Sequence, residues 1–126
     1  MRPRKEVITQ IQREVFGGGR VDLIPELYVP AMVDTILRAV TTIRTAFPDL
    51  TVTVDHLIAE EHEVACRWTA TGTQREWFQN VPPTNARVSW SGISMYAFEP
   101  DSDRVRAVLS NQDVYGLLNQ LRVALK

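Results

Sequence analysis

Around Phe47-Pro48-Asp49-Leu50 the hydrophobic period of this chain changes from that of a helix to that of a strand. Before this point, apolar residues recur every three or four positions. Residues 5 to 16 place Val7, Ile8, Ile11 and Val15 on one side of an amphipathic helix, and Gly17-Gly18-Gly19 stops it. Asp22 is the expected N-cap of a short second helix holding Leu23, Leu27 and Tyr28, with Pro25 in its first turn and Pro30 closing it. A third helix is expected from about Met32 to Ala46, with Val33, Ile36, Leu37, Val40 and Ile43 in one stripe. It ends at Phe47, because the residue before a proline disfavours the helical region.

From Leu50 onward the period is two. "LTVTVDHLIA", "EVACRWTATG", "ARVSWSGISMYAF" and "RVRAVLSNQDV" read as four long strands. The short links "AEEH" and "EPDSD" imply tight antiparallel connections, and "QREWFQNVPPTN" implies a longer loop. The tail "GLLNQLRVAL" is expected to form one or two helical turns. Helices first and a strand meander after them is an α+β order, in one domain spanning residues 1–126. In the third strand, Trp90 and Tyr96 share one face while Ile93 and Met95 share the other. A sheet that is apolar on both sides must be covered on both sides, and the helices of one chain cover only one. A homodimer or higher homo-oligomer built sheet to sheet is therefore expected.

Composition narrows the partners. A formal net charge of −1 gives no electrostatic reason for a nucleic-acid or anionic-membrane partner. No apolar run approaches the roughly 18 residues of a membrane span. Arg2, Arg4 and Lys5 are not followed by an apolar stretch, so no secretory leader is expected and the location is expected to be cytoplasmic. The single cysteine, Cys66, rules out an intrachain disulfide and a cysteine-based metal cluster, and reads as core packing beside Val64 and Trp68. No H-x-x-x-H, G-x-G-x-x-G or P-loop spacing is present, so neither metal nor cofactor is expected.

The last strand poses the chemical question. In "VRAVLSNQDVYGLL" the face of Val105, Ala107 and Leu109 continues into Asn111 and Asp113. Asp113 at a strand end can cap the turn that begins at Tyr115. It can equally line a half-apolar pocket, where such surroundings suit a carboxyl to take and return a proton. Asn111 would then orient a substrate carbonyl or steady the oxyanion formed from it. His56 shares the parity of Val52, Val54 and Ile58 and is expected near a rim. His62 lies in a hairpin link, and Trp77 and Phe78 are large apolar groups in the proline loop, placed to fold over a pocket mouth or enter an interface.

Several blocks carry a resemblance: "FPDLTVTVDHLIAEEHEVACRWTATGTQREWFQNVPPT", then "VSWSGISMYAFE", then "NQDVYGLLNQL". In this order they resemble the SnoaL-like polyketide ester cyclases. The resemblance implies a cone-shaped, nuclear transport factor 2-like α+β barrel, in which N-terminal helices pack on a curved, mostly antiparallel sheet and enclose a pocket. It implies a cofactor-free enzyme acting on a small hydrophobic polyketide-like substrate. Asp113 would be the general acid–base of an intramolecular aldol ring closure, with Asn111, Gln74, Trp68, Trp90, Tyr96, Leu109 and Phe78 around the substrate. The sequence departs from the family pattern at Gln74, where histidine is usual, and at Leu109, where tryptophan is usual. Glu76, Asn80 and Asn85 replace loop glycines, and "YVPAMVDTILRA" joins two helices more directly than in relatives. Related hydroxylases, isomerases or epoxide-opening enzymes, and a non-catalytic ligand-binding module with Asp113 as a cap, remain alternatives. Epoxide opening would need a second carboxylate and an arginine near Asp113, whereas Arg67 has the opposite parity to Trp68.

Overall fold

A computed structural model describes residues 1–126. Helix α1, Arg4–Gln10, runs on into π-helical turns over Ile11–Phe16. The predicted stripe of Val7, Ile8, Ile11 and Val15 is fully buried, and Gln12 is buried with it. A 3-10 turn at Val21–Leu23 leads into α2, Ile24–Leu27. Asp22 does not cap this helix; its carboxylate instead accepts from the exposed Arg20 guanidinium at 2.9 Å. Pro30 does not close the segment either. It opens α3, Pro30–Ala46, at a position where its missing N–H leaves no partner unsatisfied. The residues before it attach to the sheet, because the Val29 N–H donates to Val105 O at 2.9 Å.

The four expected strands form one antiparallel sheet in the order β1 (Thr51–Glu60), β2 (Glu63–Thr73), β3 (Arg87–Phe98), β4 (Val105–Gln112). Helix α4, Val114–Ala124, is longer than the one or two turns expected, and begins one residue before Tyr115. Its Leu117 and Leu121 are fully buried. In the proline loop, Asn85 takes a left-handed backbone with φ of 59°, a conformation that asparagine tolerates. No helix is long and apolar enough to cross a membrane.

The alternation of β2 and β3 is uninterrupted. Val64, Cys66, Trp68 and Ala70 face the helices, as do Val88, Trp90, Ser94, Tyr96 and Phe98. The edge strands differ, because each carries one extra residue. On β1, Val54 pairs with Trp68 and His56 with Arg67, so Asp55 is bulged. On β4, Ala107 pairs with Ala97 and Val105 with Phe98, so Arg106 is bulged. A bulge shifts everything beyond it onto the opposite face. His56 and Ile58 therefore turn outward, and so do Leu109 and Asn111, contrary to the parity expected from the sequence. Val108, Ser110 and Gln112 take the inner face instead.

Candidate functional site

Between the concave face of the sheet and the helices lies a cavity of about 310 Å³. Trp68, Ala70, Trp90 and Tyr96 from the central strands line it, opposite Ile36, Ala39 and Ile43 of α3. Its walls are mostly apolar, with polar groups at Gln12, Thr35, Ser94, Ser110 and Gln112. This balance suits a largely apolar ligand held by a few directional contacts. A hollow of about 400 Å³ along the outer side of α1 has no hydrophobic wall and offers no surface against which a ligand body could be desolvated.

The sequence makes room for the Trp68 ring through a glycine on the neighbouring strand. A Cβ on Gly92, the partner of Trp68 across the ladder, would stand 2.5 Å from Trp68 Cζ2 and 2.9 Å from Asn111 O. Trp90 is held from behind by Phe47, whose ring centroid is 5.1 Å away. Both indoles are anchored through their nitrogens, Trp68 to Ser94 Oγ and Trp90 to Gln112 Oε1, each at 3.0 Å. Ser94 Oγ lies 2.7 Å from Ser110 Oγ across the β3–β4 ladder. Deeper in, Gln12 Nε2 donates to the Tyr96 hydroxyl at 2.5 Å. Burial pushes the Tyr96 phenol well above its usual range, and the Tyr28 phenol likewise, so both are neutral near pH 7. Burial also pushes the Cys66 thiol up to about 11.

Of the candidate residues, Trp68, Trp90 and Tyr96 reach the cavity and the others do not line it. Leu109 is 75% exposed on the outer face, opposite Met95, and Asn111 lies beside it opposite Ile93. Gln74 is fully buried, with its amide engaged on every side. Its Oε1 accepts from the Thr84 N–H at 3.1 Å and the Thr84 hydroxyl at 2.7 Å. Its Nε2 donates to Glu76 O and Val81 O, each at 3.1 Å. This pattern locks the proline loop and leaves nothing to offer a ligand. Phe78 packs edge-on against Phe47 at 5.5 Å, so it reaches the cavity only through Phe47 and Trp90. Trp77 is exposed.

Asp113 follows Gln112 directly, beside the cavity rather than on its floor. Its N–H donates to Ser91 O at 2.9 Å, and its Oδ1 accepts the Gly116 N–H at 2.8 Å, capping α4. The carboxylate lies where a Cβ on residue 116 would stand, which is the physical reason for the glycine in D-x-x-G. Oδ2 makes no hydrogen bond within the chain, and the side chain is exposed.

Gln12, Ser94, Ser110 and Gln112 escaped the sequence reading. Gln12 had a signal, since it stands four residues after Ile8 on the buried helical stripe. Ser94 had one too, sharing the parity of Trp90 and Tyr96. Ser110 and Gln112 had none, because the bulge at Arg106 reverses their face. No group of three or more His, Cys, Asp or Glu side chains is positioned to hold a metal ion.

The sequence profile of the SnoaL-like polyketide cyclase family matches residues 13–121. Among solved structures, a candidate polyketide cyclase from Acidithiobacillus ferrooxidans has a TM-score of 0.85 at 28% identity, covering 96% of this chain and 95% of that one. AclR, a candidate hydroxylase from Streptomyces galilaeus, has a TM-score of 0.84 at 25% identity, covering 95% and 96%. IdmH, a candidate polyketide cyclase from Streptomyces antibioticus, has a TM-score of 0.83 at 22% identity, covering 96% and 99%; this last likeness carries the fold alone. No curated protein matches the chain. The fold is the nuclear transport factor 2-like α+β fold that the resemblance implied.

Proposed function

The chain belongs to the SnoaL-like polyketide cyclase family, and on that premise we propose that it closes a ring in a polyketide-derived ester by acid–base aldol chemistry, without a cofactor. Asp113 is the group that moves the proton. Its carboxylate takes a proton from a carbon activated by flanking carbonyls, and the resulting enolate attacks a ketone of the same molecule. The new carbon–carbon bond leaves an alkoxide, which takes the proton back from Asp113. Because the substrate delocalises its own carbanion, the protein's share is orientation of the reacting groups.

The observation that carries this reading is the cavity itself: two anchored indoles in an apolar chamber, with polar groups along β4 and Asp113 at the end of that strand. The free Oδ2 is the oxygen available to a substrate. The capping bond of Oδ1 favours a second reading, a ligand-binding module in which Asp113 only holds α4. Asp113→Asn separates the two, since asparagine caps about as well as aspartate. Turnover would be followed by NMR on aromatic β-keto esters that carry a ketone within reach of the activated carbon. Loss of ring closure with the fold intact is expected. Cyclisation at the wild-type rate in Asp113→Asn would sink the acid–base role.

The chain is further proposed to pair with a second copy through the outer face of its sheet. Ile58, Ile93, Met95 and Leu109 are exposed there, between 47% and 75%. The Asp55–Arg67 pair flanks them at 3.6 Å, so the two signs of charge can meet their opposites across a two-fold axis. Light scattering should give a dimer mass for the wild type and a monomer mass for Met95→Glu. A wild-type monomer at micromolar concentration would overturn this.

A further inference from the structure

The two tryptophan N–H groups decide which polar atoms of the sheet are left to face the cavity. An indole nitrogen can only donate, so the bond from Trp90 Nε1 to Gln112 Oε1 fixes the orientation of that amide. The amide oxygen is committed to Trp90, and Nε2, with two N–H groups, makes no bond within the chain. Trp68 acts similarly on the hydroxyls. Ser94 Oγ accepts from Trp68 Nε1, and Ser94 and Ser110 share one hydrogen bond between them. When Ser94 donates to Ser110, the Ser110 O–H remains, whereas a Ser94 O–H has the Tyr96 hydroxyl beside it. Ser110 and Gln112 stand two residues apart on one face of β4, about 6.5 Å along the strand. Both line the cavity.

We propose that the Ser94–Ser110 hydroxyl pair and the Gln112 amide form a carbonyl-recognition strip, which takes an acceptor oxygen of an otherwise apolar, ring-bearing ligand. This rests on the cavity being the substrate site. The strip selects a keto, ester or enolate oxygen and rejects a ligand that presents an ammonium group at the same place. Its donors are neutral, with the amide oxygen already committed to Trp90, so their bonds strengthen as charge gathers on the ligand oxygen, which is what an enolate intermediate requires. Trp90 is the positioning residue, because without its N–H the amide of Gln112 is free to turn its oxygen toward the ligand. The strip also assigns to Gln112 and Ser110 the task that the uncorrected alternation gave to Asn111.

Calorimetric titration with three matched probes tests the proposal: acetonaphthone, isopropenylnaphthalene of the same shape without the oxygen, and naphthylethylammonium. The ketone should bind wild type about tenfold more tightly than the hydrocarbon, as expected for one or two net hydrogen bonds. Gln112→Leu and Ser110→Ala together should bring that ratio near one while leaving hydrocarbon affinity in place. Gln112→Glu keeps an oxygen for Trp90 but puts a second oxygen where Nε2 stood, so the ammonium probe should become the preferred ligand. Trp90→Phe should erode the ketone preference without loss of the hydrocarbon. Equal binding of ketone and hydrocarbon to wild type, or a ratio that survives the double substitution, would overturn the strip. If neither probe binds, the cavity reading falls and the strip with it. If the ratios behave as expected while Asp113→Asn leaves ring closure unchanged, the acid–base role falls and the strip stands.

Discussion

The central strands β2 and β3 and the edge strands β1 and β4 obey the same chemistry but record it differently. The central pair alternates without interruption, so each inward residue is the one the sequence pattern indicates. Each edge strand carries one bulge, at Asp55 or Arg106, and its pattern is inverted beyond it. A central strand is hydrogen-bonded on both sides, so an extra residue would disrupt two ladders; on an edge strand it disrupts one. The extra residues are also tied down. Asp55 accepts from the Thr69 hydroxyl at 2.6 Å, and Arg106 donates to Phe98 O at 3.2 Å. The division has a functional side: the uninterrupted strands supply the apolar wall and the tryptophans, and the bulged strand supplies Ser110 and Gln112.

The largest expected effect sharpens this contrast between strands. Phe98→Ala on β3 empties a fully buried site and should cost about 3–5 kcal/mol in urea unfolding. Leu109→Ala on the outer face of β4, placed in the monomeric Met95→Glu background, should stay within about 0.5 kcal/mol. Comparable losses at the two sites would break the comparison.

Deleting Arg106 addresses the bulge directly. The deletion removes the unpaired residue itself, so Val105 and Ala107 keep their partners Phe98 and Ala97 and every residue beyond keeps its face. Ser110 and Gln112 should stay inward, and the ketone preference should survive. Loss of that preference in a folded deletion variant would show that Arg106 is not the residue that sets the face of β4.

At the end of β4, Asp113→Ala should lose about 1 kcal/mol through the missing cap. Asp113→Asn should unfold close to the wild type. The pair of unfolding curves isolates the structural task of Asp113 from its proposed chemical one.

The smallest expected effect is a pH dependence anchored on β2. The backbone N–H and hydroxyl of Thr73 donate to Asp49 at 2.7 and 2.8 Å and hold its carboxyl below the ordinary value of 3.8. The ionised form is the one stabilised in the folded state. Its contribution is present above the ordinary value and is lost as pH falls through the lower folded value. Asp49→Asn should remove that part of the acid sensitivity in a pH series of melting temperatures, and an unchanged acid limb would refute it.

Much of the fold was legible because it depends on local rules. The buried stripe of the first helix, the Phe47-Pro48 break, the four strands and the two-sided apolar pattern of β3 follow from periodicity and from backbone sterics. Trp68, Trp90 and Tyr96 could be found because no bulge interrupts their strands. The place of Gln74 was not legible for a different reason. A buried amide beside a proline loop can serve a ligand or the loop, and only the positions of Thr84, Glu76 and Val81 decide between them. Pro30 misled as well, since a proline can close one segment or open the next.

By itself, then, the sequence determined the α+β order and the central wall of the cavity, because period and turn chemistry act over a few residues. Only the tertiary structure decided which face of β1 and β4 points inward, and so which polar atoms meet a ligand. Alternation along a strand carries no count of the residues on its partner. A single unpaired residue at Asp55 or Arg106 reverses every side chain beyond it, and that residue is defined only by pairing with another strand.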